Sequence, residues 1–490
     1  MEQYLYGAAV QGIQSFIFQT NKLKEIVGAS ELVERICTGE FAAQIGKPDF
    51  RDLESDPNAV INAAGNIKYI FDDEELLKKT FREFPMRVQR LAPGITISQA
   101  VVKMSAGTSL YEAVSELEKK LKTQRNRVAR SRTLGLTGVR RSRTTGLPVL
   151  KVEKGEYLDD ASMGKRDVSI STSGRLVEKM LGANQKERTV ISDISEITAF
   201  NDWIAVVHID GNNLGRIVKE IGKNKEEFHT FSLQLDKATA ASAKEAVSAI
   251  DCTAGKNKLP LRPIVLGGDD FTLVIRDDLA IDFTKKFLEA FEKNTKEIYN
   301  TVKKGILKDG MTACAGIAFI KSSYPFYYGY SLAETLCDAA KKDTKSGDPS
   351  RIAVPSCLMF HKVQDSFIED YSRIKERELT PNDEVSLDFG PYYLKEKKDY
   401  WTIEKLQENL QKLATEDGNA IKSHLRRWLT VLHQKGGIEK GRQLLERLKT
   451  VAGDHTLVKV LIYDPVPGKR TKYPVYDLMS LLSVTYHKTK

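Results

Sequence analysis

The feature that most constrains this 490-residue chain is a Gly-Gly-Asp-Asp turn at residues 267–270, enclosed by two apolar runs. The runs cover residues 263–266 and 271–275, and both have the length and the β-branched content of buried strands. Because glycine adopts the positive φ that tight turns require, the segment predicts a β-hairpin. Asp269 and Asp270 then lie together at its tip, where like charges repel and a divalent cation would offset the repulsion.

A third carboxylate, Asp210, ends another apolar run, residues 203–209, about 60 residues earlier. One acid at the end of a strand and two on a later hairpin are how polymerase-like palm domains hold two Mg²⁺ ions for nucleotidyl transfer. The alternative is a solvated turn without chemistry, since a short motif alone carries a high false-positive risk. The order of the two motifs favours the first interpretation. Asp210, Asp269 and Asp270 are therefore predicted as catalytic residues and as ligands of Mg²⁺ or Mn²⁺.

Small and polar residues follow Asp210 and open a predicted helix. Exposed backbone N–H groups and a helix N-terminus attract phosphate, so a nucleotide is expected there. Asn213 suits either recognition of a base or ribose or capping of this helix. Lys341 and Lys342 end a later helix, where they could bind triphosphate or only complement the helix dipole. The predicted nucleotide-binding residues are Gly211, Asn212, Asn213, Gly267, Gly268, Lys341 and Lys342.

Length and composition limit the class of protein. A chain of 490 residues exceeds what one core usually serves, so several domains are expected. Its 41% hydrophobic and 29% charged residues are typical of a soluble globular protein, and no apolar run approaches the ~18–20 residues of a membrane span. The N-terminus shows no signal peptide, and the five scattered cysteines form no C-x-x-C pair, which together predict a cytoplasmic protein without membrane association. The net charge of +9 favours polyanionic partners.

The element patterns predict an α+β fold. Residues 201–365 follow the order β-α-β-β-α-β, the ferredoxin-like unit at the core of palm domains. Residues 1–125 show the same order, and their hairpin aligns with the acidic one, with Gly65 and Asn66 in place of the two acids. This self-similarity predicts two tandem palm domains, of which the first is degenerate and non-catalytic. The alternative is a chance similarity of two hairpins.

Two further regions complete the predicted domain organisation. Residues 126–200 are predicted as a basic linker and insertion, irregular and polar from residue 150 onward. Ten basic residues occur within residues 119–143, with no acid among them. This stretch suits contact with RNA or with triphosphates, and equally a solvated loop. Residues 366–490 are predicted as a helical C-terminal domain of a type that more often docks a partner than performs chemistry.

Several motifs in combination resemble the large palm-domain subunit of type III CRISPR effector complexes. Residues 11–18 (QGIQSFIF) and 23–32 (LKEIVGASEL) look like its first palm domain. Residues 208–215 (HIDGNNLG) and the GGDD turn look like its second. The resemblance covers most of residues 1–360.

The resemblance implies an activity and a setting. Members of this family join ATP into cyclic oligoadenylates, second messengers of antiviral defence, usually when the effector complex has bound target RNA. The resemblance therefore implies that this chain is a magnesium-dependent cyclase that uses ATP, with RNA or an RNA-guided effector complex as its partner. Many members begin with an HD nuclease domain and carry a cysteine zinc site. This chain has no His-Asp dipeptide and no suitable cysteine spacing, so a compact form without nuclease activity is expected.

Three functions are open at this point. The first is a signalling cyclase, the second a nucleotide-binding structural subunit with a silent active site, and the third a template-using polymerase. The intact set of carboxylates favours the cyclase over the silent subunit. No recognisable fingers or thumb follows the hairpin, which disfavours the polymerase. Assembly into a homo-oligomer is an open alternative to the effector complex.

Overall fold

The computed structural model describes residues 2–47, 53, 56–63, 65–105, 109–126, 138–171, 174–182, 189–191, 194–198, 202–221, 224–250, 258–345, 354–365, 370–452, 456–461 and 470–485. Within these residues the chain combines two main β-sheets with many helices, which confirms a mixed α and β fold. No helix among them is long and apolar enough to cross a membrane.

The first sheet has four antiparallel strands in the spatial order β2-β3-β1-β4. Its central strand is buried from Leu5 to Val10 because it has a neighbour on both sides. The elements follow the order β-α-β-β-α-β expected from the sequence. The strands are β1 (Gln3–Gln11), β2 (Ala59–Ala63), β3 (Asn66–Phe71) and β4 (Thr96–Met104), and the helices are α1 (Ile13–Ile17), α2 (Leu23–Arg35), α3 (Phe41–Gln44), α4 (Glu74–Leu91) and α5 (Leu110–Arg125).

The structure corrects the prediction of an irregular linker from residue 150 onward. This part of the chain forms a small hairpin and two helices, of which α6 packs along α2. Its polar residues look solvated in the sequence but are paired inside the fold: Lys165 donates to the carbonyl oxygen of Phe16 at 2.7 Å, and Arg166 donates to Glu25. The elements are β5 (Lys151–Glu153), β6 (Glu156–Leu158), α6 (Asp160–Ser171), α7 (Arg175–Leu181) and β7 (Thr189–Val190).

A close helix crossing makes the first prediction. At Gly28 of α2, an added Cβ would overlap the carbonyl oxygen of Lys165 in α6, and backbone cannot move aside as a side chain can. Gly28→Ala is therefore expected to lower the free energy of unfolding by about 2–3 kcal/mol, measured by urea denaturation. Gly39→Ala is the matched control, since Gly39 has open space around its Cβ position. Equal stability of the two variants would contradict this packing.

The second sheet contains β10-β11-β8-β12-β13 in that order, followed by a short strand at residues 392–393. The first four of these repeat the strand order of the first sheet, and all their pairings are antiparallel. Helices α9 and α10 pack against each other, while α11 packs on β12 and β8. The elements are β8 (Trp203–Gly211), α8 (Leu214–Ile221), α9 (Lys225–Ser248), β9 (Lys258–Leu259), β10 (Leu261–Gly267), β11 (Asp270–Arg276), α10 (Ala280–Val302), β12 (Ala313–Lys321), α11 (Phe326–Lys345) and β13 (Cys357–Lys362).

The rest of the described chain is mainly helical, with one departure. Strand β15 pairs with β13, so the second sheet extends into the region predicted as helical. Strands β14 and β16 form a separate parallel pair. The elements are α12 (Tyr371–Arg377), β14 (Val385–Ser386), β15 (Tyr392–Tyr393), α13 (Ile403–Ala414), α14 (Glu416–Leu432), α15 (Gly437–Ala452), α16 (Thr456–Leu461), β16 (Thr471–Lys472) and α17 (Val475–Thr485).

A buried carboxyl group on α17 contacts the second sheet. It makes the free energy of unfolding depend on pH. The hydroxyl of Tyr392 donates to Asp477 Oδ2 at 2.6 Å, and burial raises the pKa of Asp477 to about 8. In the unfolded chain this pKa is about 3.9, so the folded state holds a proton that the unfolded state releases. The contribution of Asp477 is therefore fully present below about pH 4 and is lost as pH rises towards 8.

Asp477→Asn keeps an acceptor for Tyr392 without the ionisable proton. We expect the variant to match the wild type at about pH 4 and to exceed its free energy of unfolding at pH 9. Urea denaturation at both pH values measures this difference. Parallel pH profiles for the two proteins would show that Asp477 does not ionise on unfolding.

Candidate functional site

Neighbouring strands β8 and β11 bring the three predicted acids together. Asp210 near the end of β8 lies directly opposite Asp270, the first residue of β11. Asp269 precedes it in the turn and folds back over the end of β8, where a Cβ on Gly211 would lie 2.6 Å from its Oδ2. The absence of a side chain at Gly211 is thus what admits the carboxylate of Asp269.

The turn itself is held by α9. Gly268 has a φ of 63°, in the left-handed region that favours glycine. Its amide donates to Asp236 Oδ1 at 3.3 Å, and its carbonyl oxygen accepts from the buried hydroxyl of Thr239 at 2.6 Å. Gly267 closes the hairpin by pairing with Asp270. The glycines predicted as nucleotide-binding residues therefore shape the turn that presents the acids.

The local electrostatics disfavour ionisation of the hairpin carboxylates. Burial, followed by the charges of Asp210 and Glu334, raises the pKa of Asp270 to about 8. Burial and the other two acids also raise the pKa of Asp269. Asp270 keeps 36% of its side chain exposed, but its Oδ1 is buried and has no hydrogen-bond partner among the described residues. A cation beside these oxygens would stabilise their ionised form.

Lys341 and Lys342 have different surroundings. The Lys341 ammonium of α11 forms an ion pair with Asp210 Oδ2 and donates to the carbonyl oxygen of Gly211 at 2.9 Å. Its side chain is 15% exposed; burial lowers its pKa, but Asp210 outweighs burial and the net pKa is raised. Lys342 is exposed. Of the two, Lys341 is the cation that lies at the carboxylates.

The carboxylates suit divalent cations without forming a closed cage. Across the described ranges, no group of three or more His, Cys, Asp or Glu side chains is arranged to hold a metal ion by itself. The buried, unpartnered Oδ1 of Asp270 and the two other acids are nevertheless hard oxygen donors. Mg²⁺ typically binds one or two carboxylates and completes its shell with water and substrate phosphates. The residues present therefore fit Mg²⁺ bound together with a triphosphate.

Asn212 and Asn213 shape the loop after β8. The Asn212 backbone amide donates to the carbonyl oxygen of Thr312 at 2.8 Å, and its side-chain amide to the Thr312 hydroxyl at 3.0 Å. Asn213 has a φ of 61°, and its carbonyl oxygen accepts from the Ile217 amide at 3.1 Å as α8 begins. A cavity of about 600 Å³ lies beside this loop, lined in part by Asn212, Arg216 and Lys304.

The first region of the chain reaches the site through residues that the sequence reasoning did not single out. The side chain of Gln14, in α1, donates to the Tyr330 hydroxyl and to Glu334 Oε1, both at 3.0 Å. A cavity of about 150 Å³ between α1, α2 and the second sheet is lined in part by Gln14, Tyr330 and Asp270. A signal for Glu334 existed, because it stands seven residues before Lys341 and so shares its helix face. Nothing in the sequence indicated that Gln14 lies opposite it.

His208 packs inside the second sheet. Its Nδ1 lies 2.9 Å from Thr272 Oγ1, and its ring meets that of Tyr330 edge-on at 5.6 Å between centroids. Burial lowers its pKa, which keeps the imidazole neutral at physiological pH. Its Nδ1 also lies 3.5 Å from Asp270 Oδ1, so this packed histidine borders the carboxylates.

Comparisons with known proteins agree with the architecture. Residues 203–348 match the profile of the family described as Cas10/Cmr2, second palm domain. A search of curated proteins gives no match.

Among solved structures, the Csm1-Csm4 cassette in complex with cA3 has 15% sequence identity and a TM-score of 0.57, and the match covers 99% of this chain and 69% of that one. The cassette in complex with AMPPNP has 13% identity and a TM-score of 0.54, with coverage of 99% and 70%. Csm1 of T.onnurineus has 15% identity and a TM-score of 0.52, with coverage of 99% and 69%.

Proposed function

We propose, for a chain that carries a Cas10-type second palm domain over residues 203–348, a metal-dependent nucleotidyltransferase that joins ATP into cyclic oligoadenylates. The observation that supports this most directly is the register pairing of Asp210 with Asp270, with Asp269 folded over Gly211. Three neighbouring carboxylates do not stabilise the fold, because their negative charges repel one another. Their proximity therefore favours a functional role.

The reaction is attack of a ribose hydroxyl on the α-phosphate of a second ATP, with pyrophosphate as the leaving group. Divalent cations on Asp210, Asp269 and Asp270 would lower the pKa of that hydroxyl and neutralise the triphosphate. Lys341 forms an ion pair with Asp210 and adds a positive charge near the polyphosphate. The N-terminal turn of α8 offers backbone N–H groups to phosphate oxygens. The pairing with Gln14 and Tyr330 orients Glu334 beside the reacting groups.

We propose that the first sheet belongs to a degenerate palm domain that binds the acceptor nucleotide. In the first sheet, the pair equivalent to Asp210 and Asp270 is Ala9 and Asn66, which contains no carboxylate. A side chain at Gly65 would overlap Ile13, so an acid there would also disturb α1. Holding the acceptor opposite the donor lowers the entropic barrier to joining them. The predicted domains, residues 1–125, 126–200, 201–365 and 366–490, remain our proposal for the organisation of the chain.

A second candidate function is a nucleotide-binding subunit of an RNA-guided complex whose active site is silent. The ion pair of Lys341 with Asp210 supports it, because the ammonium already neutralises one metal-binding carboxylate. The similar structures include the Csm1-Csm4 subcomplex of a type III-A CRISPR-Csm interference complex, which makes a protein partner of that kind the corresponding proposal here. In this function nucleotide would bind without turnover.

Incubation of the protein with each NTP and Mg²⁺ or Mn²⁺, followed by mass spectrometry, separates the two functions. If the protein is a cyclase, ATP should yield cyclic oligoadenylates. One pyrophosphate should be released for each phosphodiester bond formed. Nucleotide binding without any product, with and without added RNA, would favour the silent subunit. Neither binding nor product would contradict both.

RNA contact by the basic stretch is a further part of the proposal. Residues 127–137 of that stretch lie outside the described residues. Within the described part, Arg140 stacks over the ring of Tyr157 at 4.2 Å from its centroid, and Arg141 donates to a local carbonyl oxygen.

Changing Arg125, Arg127, Arg140 and Arg141 together to Glu is expected to weaken RNA binding at low salt by at least about 100-fold, because each neutralised phosphate releases counterions. Filter binding at two salt concentrations measures the loss. Unchanged affinity, with an unchanged salt slope, would identify the stretch as a solvated loop.

A further inference from the structure

The turn that carries the catalytic acids is linked to the first region of the chain by a series of charged side chains that become more buried away from the turn. Gly268 donates its amide to Asp236 Oδ1 of α9 at 3.3 Å. The same oxygen lies 3.3 Å from the Lys179 ammonium of α7, and this ammonium lies 3.3 Å from Glu34 Oε1 of α2. Helix α2 also packs directly on β10 of the second sheet, where the Ser30 hydroxyl donates to the carbonyl oxygen of Ile264. The series therefore adds a second, charged link between α2 and the turn.

Burial strengthens these contacts, so that a shift of one side chain moves the next. The side chain of Glu34 is 5% exposed and that of Lys179 is 16% exposed, so salt and water screen their attraction less than at the surface. Burial lowers the pKa of Lys179, but Glu34 and Asp236 outweigh burial and the net pKa is raised. Removing Lys179 takes the ion-pair partner from Asp236, whose side chain is 31% exposed, and leaves the buried Glu34 with Arg175 at 3.7 Å.

Both ends of the series are fixed. At one end, Glu31 of α2 accepts from the Leu176 amide at 3.1 Å, and Arg175 lies 3.7 Å from Glu34, so α7 is held to α2 at several points. At the other end, Gly268 is held on its carbonyl oxygen by Thr239 as well as on its amide. Asp236 and Thr239 of α9 therefore hold the turn together, and Asp236 is the one of the two that contacts Lys179.

We propose that Lys179 and Asp236 are positioning residues that couple the placement of α2 to the turn bearing Asp269 and Asp270. The catalytic consequence rests on the proposed function, whereas the mechanical coupling does not. A nucleotide or partner that shifts α2 would move Lys179, reorient Asp236 and displace the turn. A displacement of about 1 Å at a catalytic group lowers rates on the order of 100-fold.

Hydrogen–deuterium exchange of residues 261–276 in the full chain tests the coupling without reference to activity. Lys179→Met and Glu34→Gln are expected to speed exchange at the turn about tenfold, although neither residue touches it, because the amide of Gly268 loses an oriented acceptor. Lys179→Arg, which keeps the charge, is expected to stay within about twofold of wild type. Lys237→Met is the matched control, since it removes the same charge from an exposed position next to Asp236.

Product formation by the same variants separates this inference from the proposed function. We expect kcat to fall between about 10- and 100-fold in Lys179→Met, with a smaller change in KM, and to recover in Lys179→Arg. Wild-type exchange at the turn in both Lys179→Met and Glu34→Gln would overturn the coupling even in an active enzyme. A wild type without product would overturn the proposed function alone. If Lys179→Met fails to fold, Asp236→Asn and Glu34→Gln provide the same comparison.

Discussion

Replacing both Asp269 and Asp270 with asparagine is expected to abolish product formation, with a loss of at least about 10³-fold. Metal ions contribute several kcal/mol to stabilising charge in such a transition state, and each ~1.4 kcal/mol corresponds to a factor of ten. Asparagine preserves the shape and the hydrogen-bonding oxygen at both positions. Mass spectrometry of the ATP reaction measures the loss. Wild-type turnover in the double variant would contradict the assignment of these acids.

The same double variant should be at least as stable as the wild type above neutral pH. The folded-state pKa of Asp270, about 8, exceeds its unfolded value of about 3.9, so the wild type loses stability as pH rises between these values. The asparagine variant lacks this loss, and we expect its melting temperature to exceed that of the wild type at pH 8.5. Added Mg²⁺ should raise the melting temperature of the wild type only. Asp167→Asn, at an exposed carboxylate of α6, is the control for a change of charge.

Lys341→Met is the second change with a large expected effect. It removes the ammonium that contacts Asp210 and the carbonyl oxygen of Gly211, and a preorganised charge of this kind contributes about 10²–10³-fold to the rate. We therefore expect product formation to fall by at least about 100-fold. Lys342→Met is the matched control, because it removes the same charge from the neighbouring exposed position, and it should stay within about threefold of wild type.

The pH profile distinguishes a role at the carboxylates from a general loss of charge. Lys341 lowers the pKa of both Asp269 and Asp270, so its removal should move the acid limb of the pH–rate profile to higher pH. The measurement is kcat/KM for ATP between pH 6 and 9 at fixed Mg²⁺. Equal losses in the two lysine variants, or an unshifted limb, would contradict the contact with Asp210.

Much of the site followed from local sequence. The predicted hairpin runs, residues 263–266 and 271–275, correspond to the observed strands Leu261–Gly267 and Asp270–Arg276. The ends differ by one to two residues because backbone pairing continues past the last apolar side chain. Asp210 is predicted beside the hairpin because one acid at the end of a strand and two on a later hairpin form the arrangement of polymerase-like palm domains. The prediction of an irregular linker from residue 150 was wrong because its polar residues, such as Lys165, form hydrogen bonds with partners that are distant in the sequence rather than with water.

The sequence by itself determined the strands, the hairpin with its two acids and the strand that ends near Asp210, because apolar periodicity and glycine turns act between neighbouring residues. Only the tertiary structure decided which lysine meets Asp210, since that ion pair joins residues 131 positions apart. It also decided that Gln14 approaches Tyr330 across 316 positions and that Glu34 connects with the Gly-Gly-Asp-Asp turn through Lys179 and Asp236. Such contacts depend on how whole helices pack, and packing is set by shape and burial summed over many residues rather than by any short motif.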